Sequence, residues 1–394
     1  MRGSVGRRSD TVQRPGGRPV DVVPIPLGGP SIDREDLRAV ASVLATGNLT
    51  QGPIVEAFEV KLAGYLGAHF AVAVSSGTAA LHLALRVFEV GPGDEVVVPA
   101  FTFPATANVV EWLGARPVFC DIAPGGYNAG PEEFARAVTR RTRAVMPVHA
   151  FGTVADVPAI ARAVLRVARG RRRVVVVEDA ACALGASLRG IPAGLLGDVG
   201  CLSFHPRKVL TTGEGGGVLT RRRSFAERVR ALRSHGLVRA GRRIELREPG
   251  LNYRMTQFQA ALGLSQLSRL EAILACRARI ASVYRRTLAS HPQVRFFTPP
   301  PDQIEACQAF VVMFPTTTLR DRVQAAMARA GIETTFGTYC VPLMRYYRER
   351  YGLQKRMFPN AWGAHKRTIA LPLHPGLTAA AQTRVMEVML ASLP

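Results

Sequence analysis

Residues 70–85 read FAVAVSSGTAALHLAL. The first five are apolar, the next four are Ser75, Ser76, Gly77 and Thr78, and the remainder sets apolar residues at helical spacing. This is a strand that stops, turns and enters a helix over 78–88. The same grammar returns downstream: EVVVPA (95–100) before a helical pattern at 105–113, ARPVFCDI (115–122) before 131–139, AVMPVHA (144–150) before 156–168, then RVVVVEDA (173–180). Strands apolar throughout need cover on both faces, and strands alternating with helices are joined by crossovers. The reading is a three-layer α/β core around a mostly parallel sheet.

On the N-terminal side, DREDLRAVASVLATGN predicts a helix capped by Ser31 and ended by Gly47-Asn48, and PIVEAFEVKLAGYLG predicts another. On the C-terminal side come a hairpin strand GGVLTR, a helix at 224–234 and a loop at 236–256. Residues 256–289 keep helical spacing for about nine turns, enough to connect two lobes. The rest mixes AFVVMF-like strands with helices and reads as a smaller α+β unit. The expected division is a basic tail at 1–20 that does not order, a large cofactor-binding α/β domain at 21–265, and a connecting helix with a small C-terminal α+β domain at 266–394.

With 47% hydrophobic and 20% charged residues, the 394-residue chain has the composition of a globular protein. Its six cysteines show no CxxC pair and no spacing shared with histidines, so neither zinc nor a disulfide framework is expected, and a reducing cytoplasm is. Lysine and arginine number 51 against 29 acids, a formal charge of +22. No aromatic residues interleave with the arginines as a nucleic-acid stacking surface requires. A basic field instead favours an anionic small molecule such as a diphosphate. The tail MRGSVGRRSDTVQRPGGRP lacks the apolar centre of a signal peptide, and no window approaches 18 uninterrupted apolar residues.

In an open parallel sheet, ligands collect at the carboxyl ends of the strands. Ser75-Ser76-Gly77-Thr78 ends one strand, offering free N–H groups, a hydroxyl and a positive helix end to a phosphate. Glu178-Asp179 ends another; one acid could simply cap the next helix, or serve as a carboxylate in an apolar cleft that needs a cationic partner. Lys208 comes after a third apolar segment in SFHPRK, next to TTGEGGG. Alone it would be a surface cation beside a turn. With His205 and Arg207 close by, its amine could be tuned to form a Schiff base. Phosphate, pyridine nitrogen and aldehyde are the three handles of pyridoxal phosphate.

Taken together, GNLTQGPIVEAFE, AVAVSSGTAALHLAL, VVVPAFTFPATANVV, VMPVHAFGTVADV, VVEDAACALGA, GDVGCLSFHPRKVLTTGEGG, GLNYRMTQFQAALGLSQL and LPLHPGLT resemble, in order, the DegT/DnrJ/EryC1/StrS family of pyridoxal-phosphate aminotransferases, from about residue 27 onward. The resemblance implies fold type I, the aspartate-aminotransferase-like fold, and a homodimer with active sites at the subunit interface. It implies Lys208 as the aldimine lysine and proton carrier, and Asp179 as partner of the pyridinium nitrogen. It further implies Gly77, Thr78, Ala79 and Ser203 on the phosphate, Phe103 stacked on the ring, and Asn252 reaching the neighbouring subunit's cofactor. Cys182 stands where many members carry glutamine or histidine toward the phenolic oxygen. No metal is implied.

Family dehydratases replace the lysine, so Lys208 favours transamination. TTGEGG with His205-Pro206-Arg207 resembles members that aminate C4 of nucleotide-linked 4-keto-6-deoxy sugars, with L-glutamate as donor and His205 and Tyr339 as substrate contacts. The alternatives are a keto-cyclitol acceptor and, in another class, a non-catalytic cofactor-binding regulator. The latter would need a DNA-binding module, and a tail of about twenty residues is too short for one.

Overall fold

The computed structural model describes residues 23–168 and 173–394. The expected tail at 1–20 lies outside the described residues. The central sheet has seven strands in the order β1 (Phe70–Val74), β10 (Gly216–Thr220), β9 (Val199–Ser203), β6 (Val175–Asp179), β5 (Thr142–Val145), β2 (Glu95–Pro99) and β4 (Arg116–Cys120). Short strands intervene in the chain at Phe101–Thr102 (β3), Ser187–Leu188 (β7) and Ile191–Pro192 (β8). All pairings in the large sheet are parallel except those of β10, which runs antiparallel to both β1 and β9. The strands β1, β9 and β6 therefore point the same way, and their carboxyl ends open onto one rim.

Both faces of the sheet are covered, as the apolar strands require. Val72 and Val74 of β1, Val175 and Val177 of β6 and Val218 of β10 face one core with helices α3 (Gly77–Val87), α4 (Ala105–Trp112) and α7 (Arg223–Leu232). Ala71, Ala73, Leu202 and Leu219 face the opposite side, where α2 (Pro53–Leu66) and α8 (Gln257–Ser268) pack. Val145 and Val176 meet α5 (Pro131–Ala137) and α6 (Val157–Val167) further along that side. The three-layer expectation holds. The period-two alternation sends successive valines into different cores.

Three local expectations change. The first helix, α1 (Arg34–Thr46), is capped by Asp33, not Ser31: Asp33 and Asp36 exchange side-chain to backbone bonds in a capping box. The segment expected as one helix is two, α8 and α9 (Leu270–Leu288), broken at Arg269 (φ −120°, ψ 14°). Neither glycine nor proline causes the break; the Arg269 side chain is drawn to Asp33, Asp36 and the Ser31 carbonyl. The expected loop after α7 contains a hairpin, β11 (Leu237–Ala240) and β12 (Arg243–Leu246), with exposed Leu237, Ile244 and Leu246.

Beyond α9, an antiparallel sheet of Arg295–Phe296, Phe310–Met313 and Thr368–Leu371 packs with Tyr284, Leu288, Val385 and Met389 in a core of its own. A further short strand, Tyr339–Cys340, returns to pair with β3, placing Tyr339 opposite Thr102 at the rim of the large sheet. Among the described residues, no helix is long and apolar enough to cross a membrane.

Candidate active site

At the end of β1, Ser76 caps α3 by accepting the Ala79 N–H (3.0 Å). Of the four residues expected on a phosphate, Ala79 has therefore already committed its donor. Gly77 and Thr78 stand in the first turn, where N–H groups have no helical acceptor and the helix dipole is positive. Ser203, at the end of β9, lies directly against Gly77: a Cβ on Gly77 would fall 2.8 Å from Ser203 Cβ. On the other flank, a Cβ on Gly216 would fall 2.4 Å from the Ser76 carbonyl oxygen. Two glycines thus let three strands close on one small cup of donors.

Asp179 is 6% exposed. Its carboxylate accepts from Thr106 Oγ1 (2.8 Å) and the Ala181 N–H (3.2 Å), and among the described residues it has no ion pair. Its own N–H donates to the Pro147 carbonyl, and its carbonyl accepts from the His149 N–H. Glu178 points to the other face and is fully buried. It accepts from the N–H groups of Gly194 (2.9 Å) and Gly197 (2.6 Å), while His149 Nδ1 accepts from the Ala155 N–H. That leaves the imidazole proton on Nε2, donated to Glu178 at 2.9 Å. One acid is fully satisfied by protein; the other is buried and short of a cation.

Lys208 is half-buried in the turn after β9, and its Nζ donates to Cys182 Sγ at 3.0 Å. Cys182 therefore meets the lysine itself. His205 Nδ1 accepts from the Arg207 N–H, and its other nitrogen stands 4.0 Å from Glu214. Burial holds the His205 imidazole below its ordinary value; Glu214 opposes this, while Lys208 and Arg207 add to it. Phe103 is 64% exposed, and its ring meets that of Tyr339 edge-on at 6.2 Å. Asn252 is exposed and bridges to Ser234. Sequence reasoning missed Thr106, His149 and the division of labour between Glu178 and Asp179. The signals lay in FTFPAT and VHAFG, but neither motif names its partner.

A lysine, a turn of free N–H groups at a helix start and a buried carboxylate with no ion pair among the described residues, at strand ends on the rim of this sheet, have the layout of a fold-type-I pyridoxal-phosphate enzyme. The donor set fits that cofactor: the cup would suit its phosphate, and Asp179 its proton-bearing ring nitrogen. Comparison with known proteins agrees. A family described as the DegT/DnrJ/EryC1/StrS aminotransferase family matches residues 30–390, and the chain belongs to it. It is 36% identical over 367 residues to the spore coat polysaccharide biosynthesis protein SpsC of Bacillus subtilis, covering 90% of this chain and 93% of that one. Among solved structures it is similar to the PLP-form of Spr1654, a putative sugar aminotransferase from Streptococcus pneumoniae (28% identity, TM-score 0.89, 94% and 100% of the two chains). It also resembles S. venezuelae DesV in complex with a ketimine intermediate (31% identity, TM-score 0.86, 94% and 99%). The protein is a pyridoxal-phosphate-dependent aminotransferase of the sugar aminotransferase type.

The cup makes a specific prediction. Gly77→Ala is expected to weaken cofactor binding about tenfold, because the new methyl would push Ser203 out of the cup, while the fold is kept. Titration of the cofactor-free protein, followed by fluorescence, checks this against the thermal midpoint.

Proposed function

We propose that the protein transfers an amino group from L-glutamate to a nucleotide-linked keto sugar, with a 4-keto-6-deoxyhexose as the acceptor. The observation that carries the catalytic part is Asp179, a buried carboxylate with no ion pair among the described residues, on the same rim as Lys208 and the cup at Gly77. Pyridoxal phosphate, when bound, supplies an aldehyde that takes up the amino group and a ring that accepts the electron pair left when a substrate C–H bond breaks. Lys208 Nζ removes the proton from the donor's α-carbon and, in the second half of the cycle, delivers one to the former keto carbon. Asp179, held by Thr106 and Ala181, keeps the ring nitrogen protonated. Gly77 and Thr78 N–H groups and Ser203 Oγ anchor the phosphate, and Phe103 covers the ring face. Cys182 accepts a hydrogen bond from the lysine amine when that amine is free.

The acceptor reading is supported by the TTGEGG loop after Lys208, by His205 and Tyr339 at the rim, and by the excess of basic residues, which draws a diphosphate. The working unit is a homodimer in which Asn252 of each chain reaches the other's cofactor phosphate. A panel of keto-sugar nucleotides and keto-cyclitols, each with glutamate, tests the assignment by 2-oxoglutarate release and product mass. Turnover confined to the cyclitols would overturn it.

A further inference from the structure

Gln308 lies about a hundred residues beyond Lys208 and grips the chain on both sides of it. Its Nε2 donates to the Arg207 carbonyl (2.5 Å) and its Oε1 accepts the Val209 N–H (3.1 Å). One carboxamide thus satisfies the two peptide groups that flank the lysine. The lysine segment is otherwise a turn, closed by the Lys208 N–H to the His205 carbonyl at 2.8 Å. No strand or helix of its own fixes it.

Gln308 is itself anchored with unusual effort. Arg277 of α9 is 4% exposed and has no ion pair among the described residues. Its guanidinium is given to main-chain carbonyls, Nε to Cys307 (3.0 Å) and Nη2 to Gln308 (2.7 Å). Cys307 adopts φ 47°, a left-handed conformation that a side-chain-bearing residue rarely takes. The neighbouring turn joins in: Ala306 N–H donates to the Gly152 carbonyl and Ala309 N–H to that of Phe151. A Cβ on Gly152 would strike Gln308 N at 2.9 Å and the Cys182 carbonyl at 3.2 Å. Gly152 is therefore wedged between the residue that clamps Lys208 and the residue that touches its amine. Buried charge without a carboxylate and a strained turn are both costly, and both serve to place one side chain.

We propose that Gln308 is a positioning residue for Lys208, setting where the amine stands during proton transfer. This rests on the reading of Lys208 as the proton carrier. The test uses the full-length holoenzyme and two variants, Gln308→Met, which removes both bonds at similar volume, and Gln308→Glu, which keeps an acceptor for the Val209 N–H. Gln308→Met is expected to slow single-turnover reaction with glutamate about tenfold to a hundredfold and to raise the α-deuterium isotope effect. KM for the donor should stay within about twofold. In the cofactor-free protein, hydrogen exchange at the Val209 amide should speed up about tenfold or more, with Gln308→Glu retaining most of the protection.

Wild-type rates and isotope effect in Gln308→Met, or an unchanged Val209 exchange rate, would overturn the inference. So would a rate loss that merely tracks lost cofactor or lost folded protein. Lys208→Ala in the same assay separates the two ideas. If it keeps the isotope-sensitive step, the reading of Lys208 falls; if it loses that step while Gln308→Met does not change it, only the role of Gln308 falls.

Discussion

Replacing Lys208 by alanine is expected to lower transamination about ten-thousandfold or more, the upper end of what a positioned acid–base group contributes. The effect should be this large because nothing else in the site can take its place. The side chain that Nζ bonds is the thiol of Cys182, a weak hydrogen-bonding group. His205 is close in sequence but is turned to the Arg207 N–H and Glu214. Loss of both half-reactions, with borohydride no longer fixing the cofactor to the chain, is the expected result. The thermal midpoint should scarcely move, since the half-buried lysine holds no strand or helix together. Retained turnover in either half-reaction would refute the assignment.

Replacing Asp179 by asparagine is expected to cost about a hundredfold to a thousandfold in kcat, comparable to removing one group that stabilises developing charge. Asparagine keeps the shape and can keep the bonds to Thr106 and the Ala181 N–H, so the strand end should stay in place. What it removes is the negative charge. A protonated ring nitrogen would then face a neutral amide in a buried setting, and the ring would lose its proton. Stopped-flow rates for the half-reaction with glutamate, read beside cofactor affinity, separate this from simple loss of binding. A variant that binds weakly yet turns over at the full rate when saturated would show Asp179 to be an anchor alone.

The fold was legible because both faces of the sheet are buried, so that segments such as VVVVEDA stand out as apolar runs between helical patterns. At the rim, Gly77, Asp179 and Lys208 were conspicuous because chemistry changes abruptly where each apolar run stops. The partners of these residues were not legible. Thr106 reaches Asp179 across 73 positions and Gln308 reaches Val209 across 99, and no local period encodes either meeting. Arg269 breaks a helix whose spacing is uninterrupted, since its tertiary ion pairs outweigh local propensity. The hairpin at Leu237–Leu246 escaped notice for the opposite reason: it buries no face, so its alternation carries no apolar contrast.

The placement of β10 also orders events in time. β1 ends at Val74, while β10, the strand it is bonded to, begins only at Gly216. In a chain emerging from the ribosome, β1 must wait with an open edge while the parallel strands assemble without it. The turn at Ser76-Gly77 packs against Gly216, so the cup is complete only once the sheet has closed. A nascent or truncated chain that ends before Gly216 would therefore carry Gly77, Asp179 and Lys208 and still lack the strand that closes the cup.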